Sequence, residues 1–305
     1  MERPLISIVI TTKNEERNIE NCLKSIRSQI YLANKIESIV IDNNSSDKTK
    51  EIAGKYTSKV FDKGPERSAQ RNFGMIDKAR GKYVMYLDAD MILSSAVIER
   101  SVEKLERGDI SALYIPEIVL GNSYWSKVRR FERSFYDGTV IDCIRVIKKD
   151  VFEKVGGFDL NMTGPEDWDL DKKVRRIAKV DVLDKYNFKE INQRVEKIDF
   201  SKSDWLNKLI KLSSLGLIYH NEAEFNLKRY LQKKQYYGQS FKTYIDKWGK
   251  EDSDVRKQFG LWYRYFAVFF ISEKRVSILK FPDLTLGMFF LRFLVGLNYL
   301  FKKIL

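Results

Sequence analysis

Several things are scarce in this chain, and each scarcity excludes something. Cys22 and Cys143 are the two cysteines, and they lie far apart. They make neither a disulfide framework nor a thiolate metal cluster, which points to a reducing compartment. Glycine-rich phosphate loops are missing: no G-x-G-x-x-G follows a strand and no Walker A loop exists. Phosphate charge would have to be met by a metal and by side chains. No secretory signal is expected, because the apolar run Leu5–Thr11 is too short and leads straight into polar residues. The most apolar stretch, Leu284–Phe301, has 18 residues. As a helix that is about 27 Å at ~1.5 Å per residue, against a hydrocarbon core ~30 Å thick. Arg292 sits near its middle, where a charge would cost roughly 2.5–3.5 kcal/mol on insertion scales. Length and charge both argue against a simple span.

What is present is a globular composition in 305 residues, 44% hydrophobic and 32% charged, with a net charge of +13. That length suits one large domain or two smaller ones. The charge is uneven. Residues 226–305 hold 16 Lys and Arg against 6 Asp and Glu, a net of +10, which leaves +3 for the first 225. A basic tail could meet nucleic acid or anionic lipid. Its wealth of Phe, Tyr, Trp and Leu favours an anionic membrane surface and argues against nucleic acid. An interfacial or shallowly inserted helix is the expectation for Leu284–Phe301, helped by Lys302, Lys303 and the aromatic run Trp262–Phe270.

The stretch Lys82–Asp90, KYVMYLDAD, organises the rest. Lys82–Leu87 reads as a buried strand ending in Asp88-Ala89-Asp90. Two carboxylates two positions apart on an extended backbone point the same way. Such a pair suits Mg2+ or Mn2+, which often also take substrate phosphate oxygens. The plain alternative is a strand end and a helix cap.

Upstream, strands and helices alternate. Leu5–Thr11, Ile36–Ile41 and Lys59–Asp62 read as strands. Glu15–Ile30, Lys48–Tyr56 and Ser68–Ala79 read as helices. That alternation predicts a parallel sheet with helices on its faces. Ligands bind outside the carboxyl ends of such strands. The polar clusters Thr11–Glu15, Asp42–Asp47 and Asp88–Asp90 all fall there.

Downstream, Val97–Glu106 reads as helix, and Ile110–Ile115 and Arg145–Ile147 as strands. Ser123–Tyr136 reads as an amphipathic helix with Trp125, Phe131 and Phe135 among arginines. A polar loop then carries Glu166, Asp167 and Asp169 around Trp168, ahead of a helix predicted over Asp169–Ile177. Capping needs one of those acids and leaves the others unexplained. Leu215–Tyr219 reads as a strand that delivers the sole histidine, His220, to a strand end. A lone histidine is more often structural, but here a metal ligand or phosphate donor is also open. Asn226–Asp246 reads as one long helix.

These pieces, Ile8–Asn18, Ile39–Asp47, Ser68–Gly74, Tyr86–Asp90, Gly156–Leu170 and His220, resemble the inverting family 2 glycosyltransferases of the GT-A fold. The resemblance covers roughly residues 5–225. It implies an α/β GT-A catalytic domain over 1–225, with a nucleotide-sugar half of about 1–90 and an acceptor half of about 91–225. A basic, helical, membrane-associating region over 226–305 follows it. It implies that Thr11, Thr12, Glu15, Asp42, Arg71 and Asp88 line the nucleotide-sugar pocket. Asp88 and Asp90 would hold the divalent metal, with His220 as a further ligand. Asp167 would be the general base, and Glu166 and Trp168 would position the acceptor. The sequence departs at Lys13, where the family usually has an aromatic residue, so the donor's base, UDP or GDP type, stays open.

The bottom-up chemistry agrees: the leaving diphosphate needs neutralising, and in-line attack needs a base on the opposite face of the sugar. A sugar-phosphate nucleotidyltransferase would carry a glycine-rich loop after the first strand, where this chain has Thr-Thr-Lys-Asn-Glu. A non-catalytic nucleotide-sugar-binding protein would not need the set Asp88, Asp90 and Asp167. A polyprenyl-phosphate glycosyltransferase has an anionic acceptor and needs no base, so Glu166-Asp167 favours a hydroxyl acceptor, such as a lipid-linked saccharide or glycolipid. The expected location is cytoplasmic, peripheral or monotopic at the cytoplasmic face of the membrane.

Overall fold

A computed structural model describes residues 3–221, 225–238, 240–271 and 273–301. Lys302 and Lys303 lie outside the described residues. Among the described residues, ten strands form two sheets. β1 (Ile6–Thr12), β2 (Ile36–Asp42), β3 (Val60–Asp62), β4 (Tyr83–Asp88), β6 (Ile110–Tyr114), β8 (Ile144–Lys148) and β9 (Lys179–Val182) build a seven-stranded sheet in the order β3-β2-β1-β4-β8-β6-β9. The β3–β2, β2–β1, β1–β4 and β6–β9 pairs are parallel. β8 runs antiparallel to both β4 and β6, so the sheet is mostly, not wholly, parallel. No periodicity could show that, because a strand buried on both faces reads the same in either direction. Every residue of β1 is buried. The two faces of the sheet carry separate apolar clusters, one around Ile8, Met85 and Leu93, the other around Val9, Tyr86 and Phe158. At Gly74 a Cβ would lie 2.3 Å from Val9 Cγ1. A glycine is required there for the helical turn Phe73–Lys78 to rest on the sheet.

The second sheet is small and matters for the site. β5 (Met91–Leu93), β10 (Ile218–His220) and β7 (Glu117–Val119) pair in the order β5-β10-β7. β10 is antiparallel to β5, with His220 opposite Met91. The histidine therefore arrives beside Asp90, from a position far away in sequence.

Three expectations need correcting. The acidic helix begins earlier than predicted: it spans Glu166–Arg175, so Glu166 and Asp167 occupy its first turn rather than a loop. Pro165, which suits a helix start, sits at the cap position with no side-chain hydrogen bond. The long helix expected over Asn226–Asp246 is two helices, Leu227–Gly238 and Phe241–Trp248. The helix expected over Ser68–Ala79 spans Arg67–Lys78 but changes type, α-helical to Asn72 and π-helical from Phe73.

The C-terminal helix, Pro282–Phe301, has two unlike faces. Leu284, Met288 and Leu291 are buried in one aromatic-rich cluster with Val128 and Phe131 of the helix Tyr124–Arg133. Burying each such side chain is worth about 1.5–3 kcal/mol. Arg292 also faces inward, its Nη2 3.1 Å from the buried carboxylate of Glu132. The charge that argued against a span is thus placed inside the protein. Leu286, Phe290 and Phe293 face out and are more than half exposed. Among the described residues no helix is long and apolar enough to cross a membrane.

Candidate active site

The site forms where three strand ends lie level. Thr12 pairs with Asp42 and Thr11 with Asp88 across β2, β1 and β4. Beside them one buried arginine ties two distant segments together. Arg71, on the helix Arg67–Asn72, is fully buried. Its Nη2 donates to Asp88 Oδ1 at 2.9 Å, and its Nη1 donates to Asp167 Oδ1 at 2.8 Å. Glu166 Oε1 lies 3.8 Å from the same Nη1. One helical turn earlier, Arg67 donates to that Glu166 oxygen at 2.9 Å. Two arginines at i and i+4 share a helix face, and this face meets the first turn of the acidic helix.

The charges shift one another strongly. Burial alone would raise Asp88, but Arg71, then Arg67 and Arg145, outweigh it and hold Asp88 well below the usual carboxylate range. Glu166 is raised, first by burial and then by the charge of Asp167, with Arg67 and Arg71 opposing. Glu15 is raised by burial, and also by Asp90 and Asp88 despite a hydrogen bond from Asn18. The site therefore concentrates negative charge at the strand ends and meets it from behind with guanidinium groups.

Tyr86 and Phe158 pack on Arg71, with ring centres 4.5 and 5.1 Å from its guanidinium carbon. The Tyr86 hydroxyl donates to Asp167 Oδ1 at 3.2 Å. Arg145 also lies over the Tyr86 ring at 4.9 Å, and is itself fixed by two hydrogen bonds to Glu117, at 2.9 and 2.7 Å. The sequence reading missed Arg67, Tyr86 and Arg145. The pair of arginines four apart in Arg67-Ser-Ala-Gln-Arg71 was a usable signal for the first. Nothing local marked the other two.

The predicted residues part into groups. Thr11 Oγ1 donates to Asp88 Oδ1 at 3.2 Å. Thr12 Oγ1 is buried with no hydrogen-bond partner. Glu15 is half-buried and accepts from Asn18 at 2.8 Å. Asp42 is fully buried, and both its oxygens accept from Ser45, at 2.6 and 2.5 Å. Its carboxylate holds the loop after β2. Trp168 stacks on Phe241 at 6.2 Å, and its Nε1 donates to the Ile141 carbonyl at 3.1 Å. Asp169 turns away to Trp248 and Lys247, with contacts of 3.0 and 2.7 Å. Glu166 and Asp167 therefore face the arginines of one helix, while Asp169 serves the C-terminal helices.

Whether a divalent metal fits is decided at Asp90. Its Oδ1 is buried and has no hydrogen-bond partner. Its Oδ2 lies 3.0 Å from His220 Nε2. A buried carboxylate oxygen without a donor is costly, and a cation would satisfy it. Among the described residues no three His, Cys, Asp or Glu side chains gather as a closed metal cage. Mg2+ and Mn2+ sites built on one or two carboxylates plus substrate phosphates do not need one. The residues fit such a metal, with Asp90 and His220 nearest to hand and Asp88 beside them.

Residues 7–158 match glycosyl transferase family 2. Glycosyltransferase AglE of Haloferax volcanii is 34% identical over 109 residues, 33% of this chain and 36% of that protein. The Campylobacter jejuni enzyme GalNAc(5)-diNAcBac-PP-undecaprenol beta-1,3-glucosyltransferase is 30% identical over 115 residues, 34% of this chain and 36% of that protein. The match thus spans about a third of the length of these relatives. The mannosyltransferase PcManGT of Pyrobaculum calidifontis, solved with GDP-Man and Mn2+, superposes over 99% of this chain and 89% of its own with a TM-score of 0.61 at 16% identity. That likeness shows a shared fold.

Proposed function

Since the chain belongs to glycosyl transferase family 2, we propose that it is a metal-dependent, inverting glycosyltransferase. It moves a sugar from a nucleotide-diphosphate sugar to a hydroxyl of a lipid-linked saccharide or glycolipid. The observation that carries this reading is the Arg71 bridge, which sets Asp88 and Asp167 on one guanidinium. A donor diphosphate at the strand ends and an acceptor at the acidic helix would then lie side by side. Asp167 Oδ1 accepts from both Arg71 and Tyr86, leaving Oδ2 to accept the acceptor hydroxyl's proton. Two donors on one oxygen fix the carboxylate's orientation, and a base held in line is what inversion requires. Glu166, held by Arg67, sits close behind Asp167 and supports the acceptor pocket. Thr11, Thr12 and Glu15 border the nucleotide. Mg2+ or Mn2+ held by Asp90, His220 and Asp88 would supply Lewis-acid neutralisation of the leaving diphosphate. The mannosyltransferase of the same fold was solved with GDP-Man and Mn2+, which supports the donor class.

The lipid-linked acceptor is supported by the surface. Among the described residues, most of the exposed large hydrophobic side chains lie between Leu261 and Phe293. We place this face against the cytoplasmic side of an anionic membrane, as a peripheral contact. The name of the Campylobacter relative gives an undecaprenol-linked substrate for that protein. The test is a panel of UDP- and GDP-sugars with purified protein, scored by nucleotide diphosphate release with Mn2+ and with chelator. One donor turned over with Mn2+ alone supports the reading. No turnover of any donor, with a lipid-linked saccharide supplied, refutes it.

A further inference from the structure

Arg264 lies in the short turn Tyr263–Ala267, between Trp262 and Phe266, both exposed. Its guanidinium carbon is 6.0 Å from the centre of the Trp168 ring. Trp168 adjoins Asp167, so Arg264 borders the acceptor side of the site. Its Nη1 is buried and makes no hydrogen bond. A second arginine holds its backbone. Arg292 is 6% exposed, and its Nε likewise has no partner. Its Nη1 donates to the Arg264 carbonyl. Lys234 is in the same neighbourhood, pushed down to about 7 by burial and then by Arg129 and Arg264. Glu132 answers part of this charge: it accepts from Arg129 at 2.7 Å and lies 3.1 Å from Arg292 Nη2.

Buried guanidinium N–H groups without acceptors are costly, and natural proteins leave few of them. Cations crowded in a desolvated place usually mark a site rather than a stabilising device. The missing partner is an acceptor-only anion. A guanidinium fork matches phosphate geometry. The location narrows the source. The inner side of this turn meets Trp168, and its outer side is apolar. A free phosphate has no use for an apolar border, whereas a phosphate carrying a hydrocarbon chain does.

We propose that Arg264, with Lys234 in its neighbourhood and its backbone held by Arg292, binds the phosphate or diphosphate of a lipid-linked acceptor. The proposal rests on the transferase reading and deepens it. The hydrocarbon chain lies along the exposed Trp262 and Phe266. The sugar linked to the phosphate passes Trp168 and presents its hydroxyl to Asp167.

The experiment is isothermal titration of the full chain with farnesyl diphosphate in chelator, which silences a metal-dependent donor site. Wild type is expected to bind. Arg264→Gln is expected to weaken binding roughly tenfold or more, the size of a lost charge-assisted hydrogen bond. Its affinity for a nucleotide diphosphate with Mn2+ is expected to stay unchanged. Lys234→Gln, with its melting temperature checked, is expected to give a smaller loss of the same kind. Equal affinity of Arg264→Gln and wild type for farnesyl diphosphate overturns the proposal. So does farnesol binding as tightly as farnesyl diphosphate. Inorganic diphosphate binding as tightly, with the same dependence on Arg264, overturns the lipid-linked assignment. If wild type bound farnesyl diphosphate through Arg264 but no nucleotide diphosphate, the donor reading would fall and this one would stand.

Discussion

Arg71→Gln is the most informative perturbation of the site's frame. The substitution keeps a polar group of moderate size but removes the cation shared by Asp88, Asp167 and Glu166. Breaking a buried pair by deleting one partner costs about 3–5 kcal/mol, because the remaining charge stays desolvated. Unfolding entropy of about 2.1 cal/mol/K per residue over 305 residues is about 640 cal/mol/K, so the melting temperature should fall by about 5–8 °C near neutral pH. The pH dependence gives a second handle. Asp88 is held below its unfolded value, chiefly by Arg71 acting against burial. A depressed carboxylate contributes stability that is present above the unfolded pKa of about 3.9 and is lost as pH falls through the folded value. Without Arg71, burial is opposed by Arg67 and Arg145 alone, so the depression of Asp88 shrinks and its stabilising contribution with it. The gap between wild type and variant should therefore be fully open at about pH 7 and narrow towards about pH 3, below the unfolded value. Thermal melts of both proteins at the two pH values decide the matter. A variant melting within about 1 °C of wild type, or a gap independent of pH, would refute the electrostatic reasoning.

Asp90→Ala deletes a carboxylate whose buried oxygen has no donor, so stability without metal should change by less than about 1 kcal/mol. Wild type at 100 times its Kd for Mn2+ should gain about 2.7 kcal/mol and the variant nothing; Mn2+ stabilising both equally would remove Asp90 from the metal site. Substituting the exposed Leu286, Phe290 and Phe293 by serine should leave the melting temperature nearly unchanged and lower co-sedimentation with phosphatidylglycerol vesicles. Met288→Ala, on the buried face of the same helix, should cost about 2–5 kcal/mol with vesicle binding retained. Vesicle binding unchanged in the serine variant would argue against a membrane face.

Much of this architecture was legible because it depends on local pattern. The apolar strands β1, β2 and β4 each end in a polar cluster, and a parallel sheet puts such ends together. The D-x-D and the Glu166-Asp167 pair could be read for the same reason, as carboxylates where capping alone would not need them. What stayed hidden depends on partners far apart in the chain. The motif around Arg71 suggests a nucleotide contact, and only the packing of its helix against the acidic helix shows it fully buried between two carboxylates. Asp42 is similar: its strand end was recognised, but its carboxylate is taken by Ser45. The direction of β8 was invisible, because a strand with both faces covered carries no sign of its polarity. The start of the acidic helix was misplaced by three residues because Asp and Glu suit both a cap and a first turn. Arg292, as a charge within an apolar run, argues against a simple span, but nothing local points to Glu132 as its partner.

The central claim is that Asp167 is the base of a sugar transfer and does not belong to the nucleotide pocket. The measurement that bears on it most directly is steady-state kinetics of Asp167→Asn against wild type. It uses whichever UDP- or GDP-sugar the panel identifies, a short-chain lipid-linked saccharide as acceptor, and Mn2+. The expected result is a fall in kcat of about 10²–10⁴-fold, with the donor KM within a few-fold of wild type. A kcat close to wild type, or a raised donor KM with kcat intact, would contradict the account.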